Sequence, residues 1–471
     1  MTTAETRSSP AALDDIFHPR SVAVVGASRD IKKRGYEYLQ WLVGGGFRGS
    51  IYPINPQTRE LYGLPTYPSL GAVPGPVELA IIALPAFSVA QALKECQAKG
   101  VKAAIIIASG FGEAGEAGIQ RQQEVLTIAR QGGLRLLGPN TTGILNPAAR
   151  FTSTWNPLKG VKGGTVAFIA QTGMFAGNML QWILSAERFG ISKVAGLGNK
   201  IDVAEPEVLE YLARDPETRV IMIYMEGVAD GRRFFQAARQ VAAHKPILLL
   251  KGGRTEAGAR TALSHTGSLA SRTEVLEACL RQAGVLSVRH LEEMLDLAKV
   301  LAYQPLPRGP RMALCSMSGG AAVMAADAFV EAGLSLAQLQ PATLEKIAQN
   351  IPAWARPTHP LDLEPLSEKV GRVEAYRLGL ELCLADPGVD GALLSIAGIE
   401  ADLEVAKVVV PVIRSFPGKP VAVAVLGSRP VYDELFNSFE DAQAPVYLTT
   451  PRAARALAAL WKYRQQRDRH V

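Results

Sequence analysis

Short apolar runs rich in valine, isoleucine and alanine alternate with stretches of helical periodicity along almost the whole chain. This pattern is typical of parallel sheets with crossover helices, because strands that are covered on both faces need apolar residues at every position. The chain is therefore predicted to be an α/β protein built from open parallel sheets. In the first third we predict strands at Ser21–Val25, Ile51–Ile54, Leu79–Leu84, Ala103–Ile107 and Leu134–Leu137, and helices such as Phe87–Ala98 and Ile119–Gln131.

The same alternation continues twice more. The second set of predicted strands is Val166–Ala170, Lys193–Gly196, Val220–Tyr224 and Ile247–Lys251, followed by a helix at Leu291–Tyr303. The third set is Met312–Ser316, Gly391–Ile396, Val421–Val425 and Val446–Leu448, with a last helix from about Pro451. Runs of Gly, Pro and Asn separate the sets, which predicts three domains at residues 1–155, 156–305 and 306–471.

Two segments repeat one local device. Each has a buried strand, then a hydroxyl residue with glycine, then an Ala-rich helical stretch; the turns are Gln171-Thr172-Gly173 and Ser318-Gly319-Gly320. The free N–H groups and the positive dipole end of such a helix start favour an anion. We therefore predict two phosphate-binding turns, formed by Thr172 and Gly173 and by Ser318, Gly319 and Gly320. The repeat also indicates that the second and third domains are duplicated open α/β domains.

Composition and charge exclude several classes. Apolar residues make up 48% of the 471 positions and charged residues 20%, as in an ordinary globular protein, and the net charge is +6. The four cysteines show no C-x-x-C spacing, so we expect no disulfide framework, no cysteine metal site and a reducing, cytoplasmic setting. No apolar run reaches the ~20 residues that a membrane helix needs. We expect neither membrane nor nucleic-acid binding.

The first strand is followed by Val25-Gly26-Ala27-Ser28, which lacks the G-x-G-x-x-G fingerprint of dinucleotide-binding proteins. The second strand ends in Asn55, where a nicotinamide site would need an acidic residue. Both features argue against an oxidoreductase. The loop still suits a diphosphate, with Lys32, Lys33 and Arg34 as countercharges, although a turn without ligand and a solvated basic triplet would give the same pattern.

Five segments of the first domain together resemble the CoA-binding domain of the NDP-forming acyl-CoA synthetases, relatives of succinyl-CoA synthetase: Val25–Ser28, Pro53–Pro56, Leu84–Pro85, Ser109–Glu113 and Gly138–Asn140. The resemblance implies a Rossmann-like domain that binds the cofactor CoA, followed by two flavodoxin-like domains similar to those of succinyl-CoA synthetase. The residues it places on the CoA phosphates are Gly26, Ser28, Lys32 and Lys33. Those it places along the adenosine and pantetheine path, at strand ends, are Asn55, Pro85 and Ser109.

His265 is the candidate nucleophile. The residues around it are small, which leaves room for a bulky partner on a predicted loop, and Ser264–Ala270 resembles the phosphohistidine segment of the ADP-forming acetyl-CoA synthetases. Phosphohistidine chemistry needs a neutral imidazole with one nitrogen exposed. Glu226, after a predicted strand, matches the glutamate that this family places beside its histidine. A helix-capping loop and a solvated glutamate are the alternatives.

The resemblance extends further, with departures. Gly198–Asp202 is similar to a family segment and is expected to be an active-site loop with Asn199 and Asp202. The family usually has Ser at Thr172, Gly at Ser271 and Asn at His359. His359 is expected to reshape a loop or, if it faces the pocket, to change acyl selectivity. Met174 and Phe175 indicate an apolar pocket for an acid bulkier than acetate.

A nucleotide site is missing from the sequence, which has no G-x-x-x-x-G-K-[ST] loop and no carboxylate set for a metal. In the family an ATP-grasp unit binds ATP or ADP with Mg²⁺. Because the chain ends soon after the third domain, we expect that unit on a separate β-type subunit, in a heterotetramer. The resemblance thus predicts the CoA-binding, phosphohistidine-carrying subunit of an ADP-forming acyl-CoA synthetase, an acid–thiol ligase. The alternative is a non-catalytic CoA or acyl-CoA sensor of the same fold.

Overall fold

The computed structural model describes residues 13–173, 177–266 and 273–469, except for the side chains of residues 179 and 262–266. The chain divides into two compact units, Met1–His290 and Leu291–Val471, which we call unit 1 and unit 2. Each contains mainly parallel sheets covered by helices. The predicted α/β class with open parallel sheets is confirmed.

The first sheet of unit 1 has the strand order β2-β1-β5-β6-β7, and all its pairs are parallel. Its strands are β1 (Ser21–Val25), β2 (Ser50–Ile54), β5 (Leu79–Ile82), β6 (Ala103–Ile106) and β7 (Arg135–Leu137), and its helices are α1 (Asp14–Phe17), α2 (Arg34–Gly44), α3 (Ala86–Lys99) and α4 (Glu116–Gly132). A small hairpin, β3 (Glu60–Leu61) and β4 (Leu64–Pro65), follows β2. Every residue of β1, β5 and β6 is buried, as expected for strands with helices on both faces.

The second sheet of unit 1 has the order β14-β13-β12-β10-β11-β8-β9. Its strands are β8 (Ile144–Asn146), β9 (Phe151–Thr152), β10 (Gly163–Ala170), β11 (Ile191–Gly196), β12 (Val220–Met225), β13 (Ile247–Lys251) and β14 (Leu286–Val288). Its helices are α5 (Asn178–Ala186), α6 (Glu205–Arg214), α7 (Gly231–Ala242), α8 (Glu256–Thr266) and α9 (Thr273–Ala283). The pairs of β8 with β9 and β11 are antiparallel, so a hairpin borders an otherwise parallel sheet.

Unit 2 has a third sheet, with the order β16-β15-β18-β19-β20 and β17 beside β15. Its strands are β15 (Arg311–Ser316), β16 (Ser335–Leu336), β17 (Leu361–Asp362), β18 (Gly391–Ile396), β19 (Val421–Val425) and β20 (Val446–Tyr447). Its helices are α10 (Leu291–Tyr303), α11 (Gly319–Glu331), α12 (Pro341–Ala348), α13 (Leu363–Val370), α14 (Arg372–Ala385), α15 (Val405–Ser415), α16 (Arg429–Glu440) and α17 (Thr450–Asp468). All pairs in this sheet are parallel.

The predicted domain bounds at residues 155 and 305 stay predictions, but two elements can be compared with them. The hairpin β8–β9 precedes residue 155 but joins the second sheet. Helix α10 precedes residue 305 but belongs to unit 2, where the Arg452 guanidinium forms a two-bond ion pair with Asp296 of α10. Composition alone does not reveal either connection, because both depend on contacts between distant parts of the chain.

Each sheet has a switch point at its first parallel strand. Neighbours on the two sides of β1, β10 and β15 are reached by connections that leave in opposite directions. The crevice beyond the carboxyl end of such a strand is where open α/β sheets bind ligands. The fold therefore directs attention to three turns, which begin at Gly26, Gln171 and Met317.

His359 occupies a structural position at the edge of β15. Strand β16 pairs with Arg311 and Met312 and β17 with Cys315 and Ser316, which leaves Ala313 and Leu314 between them. The Leu314 N–H donates to His359 Nε2 at 2.8 Å. The imidazole thus replaces a strand partner. Burial lowers its pKa to about 4, so the ring that accepts this bond is neutral at ordinary pH.

The stability of unit 2 should therefore depend on pH through His359. The folded-state pKa lies below the usual value near 6.5, so the unfolded chain takes up the proton first as the pH falls. Between about pH 7 and about pH 5 this effect lowers the free energy of unfolding by about 2 kcal/mol. Urea unfolding of the chain and of His359→Asn measures it, since asparagine can accept the same bond but does not titrate. Equal losses in both proteins would contradict the assignment.

Candidate functional site

A cavity of approximately 1070 Å³ in unit 1 lies where the carboxyl ends of the first and second sheets face each other. Segments that follow four parallel strands line it: Gly26–Ser28 after β1, Ala83–Pro85 after β5, Ile107–Ser109 after β6 and Gln171–Gly173 after β10. Its volume is at the upper end of the usual range for small-molecule pockets. The cavity can therefore hold a large, extended ligand.

The turn after β1 is built for close packing. Gly26 has φ +91°, and a Cβ there would lie 2.8 Å from the Ala83 carbonyl oxygen, so glycine is required. Gly35, in the first turn of α2, packs on the same turn, because its Cβ would lie 2.0 Å from the Gly26 carbonyl oxygen. Asn55 braces the turn by donating from Nδ2 to the Ala27 carbonyl at 2.7 Å. The Asn55 side chain thus lines the cavity and also fixes the turn after β1, which lines the cavity as well.

Two helix starts border the cavity beside this turn. Helix α2 has Lys33 as its N-cap and α3 has Pro85, and neither side chain accepts a hydrogen bond from its helix. The first N–H groups of both helices are thus available to a ligand, and the helix dipoles favour an anion. Lys33 and Arg34 also line the cavity. The exposed Lys32, predicted to join them, does not.

The loop after β6 links the two sheets of unit 1. Ser109 lines the cavity, and the Glu113 carboxylate accepts from the N–H groups of Gly110 at 2.6 Å and Phe111 at 3.2 Å. Its other oxygen accepts from Asn199 Nδ2 at 2.5 Å. Burial would raise the pKa of Glu113, but these hydrogen bonds hold it below its usual value. Asn199, predicted in an active-site loop, therefore lines the cavity and fixes the Ser109 loop.

A second link joins the turn after β7 to the turn after β11. The Asn199 N–H donates to the Pro139 carbonyl at 2.9 Å. Gly198 has φ +60°, and a Cβ there would lie 2.2 Å from the same carbonyl oxygen. The two turns can approach this closely only because residue 198 is glycine. Their contact fixes how the cavity walls from the two sheets face each other.

Asp202 has a different role from the one predicted. Its Oδ2 accepts from Arg135 Nε at 2.9 Å and from the Leu136 N–H at 2.8 Å, so it pairs with strand β7. It is not among the cavity-lining residues. Its predicted place in an active-site loop, as a candidate for positioning, stays a prediction; in the structure its carboxylate turns back toward a strand of the first sheet.

Trp155 forms a wall of the cavity next to the turn after β10. A Cβ on Gly173 would lie 3.2 Å from the indole Cη2 atom, so the ring rests on the predicted phosphate-binding turn. The Arg34 guanidinium lies over the indole, 5.2 Å from its centre. Thr172 and Gly173, which are predicted to bind phosphate, line the cavity. Residues 174–176, with the predicted apolar pair Met174 and Phe175, lie outside the described residues, as does Ser271.

Glu226 follows β12 and is buried, with 8% of its surface exposed. Tyr224 donates from its hydroxyl to Glu226 Oε1 at 3.2 Å. Burial and the nearby Glu226 carboxylate raise the pKa of Tyr224 well above its usual value, so the phenol remains a donor. The Gln171 side chain accepts from the Glu226 N–H at 2.8 Å, which joins this residue to the turn that lines the cavity.

His265 lies in the last turn of helix α8, and its side chain is outside the described part of the structure. The predicted loop is helical as far as Thr266, because the preceding Glu-Ala-Gly-Ala-Arg-Thr-Ala residues continue a helix. Helix α8 contacts the short turn Gly112–Ala114 of the loop after β6. The chain enters α8 past Gly252, where a Cβ would lie 3.3 Å from Glu226 Cγ. The segment between β13 and α8 thus passes Glu226, and the helix that carries His265 packs on the loop at the cavity rim.

The second predicted phosphate-binding turn, in unit 2, begins a helix as expected. Strand β15 ends at Ser316, and Ser318 is the N-cap of α11, accepting from the Ala321 N–H at 3.4 Å. Nothing lies within 4 Å of a Cβ built on Gly319 or on Gly320, so both backbone positions are open to a ligand. The repeated device of strand, hydroxyl residue, glycine and helix is present here.

Several residues of the site were not predicted. No role of their own was predicted for Trp155, Glu113, Lys200 and Lys251, although Glu113 and Lys200 stand inside segments that resemble the family. Lys251 could have been found from the sequence, because it is a charged residue at the carboxyl end of an apolar strand, where ligand sites of open α/β sheets lie. Trp155 shows no such sign in the sequence, because it stands in a loop of hydroxyl residues and not at the carboxyl end of an apolar strand.

Two negative findings hold for residues 13–173, 177–266 and 273–469. No helix among them is long and apolar enough to span a bilayer. No group of three or more His, Cys, Asp or Glu side chains in those ranges is arranged to hold a metal ion.

Comparisons with known proteins agree with this geometry. Residues 20–147 match the family described as CoA binding domain, and residues 163–301 match the family described as succinyl-CoA ligase like flavodoxin domain. Among solved structures, a dinucleotide-forming acetyl-coenzyme A synthetase 1 from Ca. Korarchaeum cryptofilum, in complex with phosphate and ADP, has a TM-score of 0.90 at 35% identity over 97% of each chain.

Two curated relatives show how much of this chain, and how much of each relative, the sequence similarity covers. Acetate–CoA ligase [ADP-forming] II of Archaeoglobus fulgidus is 40% identical over 97% of this chain, which spans 67% of that protein. Acetate–CoA ligase [ADP-forming] I subunit alpha of Pyrococcus furiosus is 36% identical over 98% of this chain and 99% of its own length. The chain therefore belongs to the ADP-forming acyl-CoA synthetases, a family of CoA ligases related to the α subunit of succinyl-CoA synthetase.

Proposed function

We propose that the chain is the CoA-binding, phosphohistidine-carrying part of an ADP-forming acyl-CoA synthetase. The observation that carries the proposal is the position of helix α8, which bears His265, follows a segment that passes Glu226 and contacts the loop at the cavity rim. The proposed nucleophile and its carboxylate neighbour follow the adjacent strands β13 and β12, and the next strand, β10, leads into a turn that lines the cavity.

The reaction has three balanced steps. A nitrogen of His265 takes the terminal phosphoryl group of ATP and ADP leaves. A carboxylate of the acid attacks phosphorus, the P–N bond breaks, and an acyl phosphate forms. The CoA thiolate then attacks the acyl carbon, and inorganic phosphate leaves with the electrons of the C–O bond. Glu226 would hold the imidazole N–H, which leaves the other nitrogen free to attack.

The phosphoryl group would be stabilised by helix starts. Thr172 and Gly173 stand at the first, and Ser318, Gly319 and Gly320 at the second. Each such start contributes about 0.3–1 kcal/mol when exposed and up to about 2 kcal/mol when partly buried. CoA would lie in the cavity of unit 1, with its phosphates at the starts of α2 and α3 and its chain along Asn55, Pro85 and Ser109.

ATP and Mg²⁺ belong to an ATP-grasp unit in this proposal. The Pyrococcus relative, which is named as a subunit alpha, is matched over 99% of its length, whereas the Archaeoglobus relative is longer. We propose a separate β-type subunit in a heterotetramer, in line with the name of the Pyrococcus relative, whereas the longer Archaeoglobus relative is in line with a single fused chain. The acid is a small carboxylic acid, and acetate, named in both relatives, is the first candidate.

The last two steps need no nucleotide when they proceed in the reverse direction, so they can be tested on this chain. Incubation with acetyl-CoA and inorganic phosphate should form acetyl phosphate and then transfer one phosphoryl group to the protein. Intact mass should show one added phosphate that is lost in acid and is absent from His265→Ala. His244→Ala, at an exposed site in the same unit, should be labelled like the wild type.

If neither acetyl-CoA nor thioesters of bulkier acids label the chain, while CoA still binds, the proposed function is wrong and a CoA sensor remains. If labelling persists in His265→Ala, the phosphohistidine assignment is wrong.

A further inference from the structure

The peptide that carries Glu226 is held by an unusual set of side chains. The N–H groups of Glu226 and Gly227 both donate to Gln171 Oε1, at 2.8 and 3.1 Å. The Glu226 carbonyl accepts from Lys251 Nζ at 2.7 Å, and the Gly227 carbonyl accepts from Lys200 Nζ at 2.7 Å. All four backbone polar groups of these two residues are therefore bonded to side chains.

These side chains come from three neighbouring strand ends. Gln171 follows β10, Lys200 lies in the turn after β11, and Lys251 ends β13, on either side of β12 and Glu226. The arrangement depends on strands that lie side by side in the sheet but far apart in sequence. It therefore fixes Glu226 relative to the whole carboxyl edge of the second sheet.

Two of the bonds come from buried ammonium groups, which are expensive to bury. Lys251 is 6% exposed and also donates to the Gly252 carbonyl. Burial lowers its pKa, and the neighbouring Glu226 opposes that shift. Lys200 is paired with the Glu205 carboxylate at 2.7 Å. Lys251 thus places a buried ammonium group next to Glu226, and a plain turn does not need such a group.

We propose that Gln171 and Lys251 are positioning residues that act through Glu226. They hold the peptide of Glu226, so that its carboxylate keeps one orientation while the imidazole of His265 gains and loses its positive charge. Gln171 also joins this peptide to the Thr172–Gly173 turn, so the carboxylate and the phosphate-binding turn are fixed together. The inference rests on the proposed phosphohistidine chemistry.

The test uses the full chain, acetyl-CoA and inorganic phosphate, and measures the rate of phosphate incorporation. Lys251→Met and Gln171→Leu should each slow it by about tenfold to a hundredfold, the size seen when an outer partner of a metal-bound side chain is removed. Gln171→Glu keeps the accepting oxygens and should restore most of the rate.

Non-additivity is the decisive readout. In a Glu226→Gln background, Lys251→Met should have little further effect, because residues that act through a shared partner do not add. A structural role alone would slow both backgrounds equally, and that result would overturn the inference.

Lys245→Met is the matched control. Lys245 stands before the same strand, β13, and donates to the Leu212 and Asp215 carbonyls at 2.7 Å each; burial lowers its pKa as well. Its loss should lower the melting temperature without changing the rate of the folded protein. Equal slowing by Lys245→Met would overturn the inference too. If the wild type takes up no phosphate, the proposed function itself fails, and this inference fails with it.

Discussion

Glu226→Gln is expected to slow phosphorylation of His265 by about a hundredfold or more. The carboxylate is buried, receives a hydrogen bond from Tyr224 and sits on a peptide whose N–H groups are held by Gln171. An amide in the same place has no charge to stabilise an imidazolium and can present its N–H₂ group to the ring. Both changes lower the fraction of histidine with the reactive nitrogen exposed.

Phosphate incorporation from acetyl-CoA and phosphate, followed by intact mass, measures this effect. Glu210→Gln is the control, because Glu210 is a half-buried carboxylate of the same unit that pairs with Arg233 on the outer helices. It should label at the wild-type rate. A Glu226→Gln protein that folds and labels as fast as Glu210→Gln would show that Glu226 does not assist the histidine.

Gly35→Ala is expected to reduce CoA affinity by at least about tenfold and stability by about 1–3 kcal/mol. The added methyl would lie 2.0 Å from the Gly26 carbonyl oxygen and 3.1 Å from Ala27 Cα, both rigid backbone atoms of the turn after β1. Helix α2 must therefore move away from the turn. This shift takes its free N–H groups and the Lys33–Arg34 pair away from the cavity they line.

Calorimetric titration with CoA and thermal unfolding measure the two effects. Gly44→Ala lies in the same helix, at a position where nothing lies within 4 Å of a built Cβ, and should be neutral or slightly stabilising. If Gly35→Ala binds CoA as tightly as Gly44→Ala, the start of α2 does not contribute to the CoA site.

Much of the fold was accessible from the apolar pattern. The predicted strands Ser21–Val25, Ile247–Lys251, Gly391–Ile396 and Val421–Val425 coincide with the observed ones. Short edge strands were missed, including β8, β9 and β17, because two or three residues carry no period. The helix at His265 was missed because serine, threonine and glycine near a helix end are also typical of loops.

The candidate site divides in the same way. The glycines and small residues of the turns after β1 and β10 were found, because an open turn before a helix has a recognisable composition. Lys251, Trp155 and the inward-facing Glu113 were not. Their roles depend on partners in other strands, such as the Glu113 carboxylate and Asn199, which are 86 residues apart in the sequence.

The sequence by itself determined the α/β class, the central strands and the turns that begin helices, because each depends on the conformational preferences of neighbouring residues. Only the tertiary structure decided that Asp202 pairs with β7, that His359 completes the edge of β15, and that Lys251 and Gln171 hold the peptide of Glu226. Those outcomes depend on which strands become neighbours, and strand order is set by packing over the whole chain, which no local pattern records.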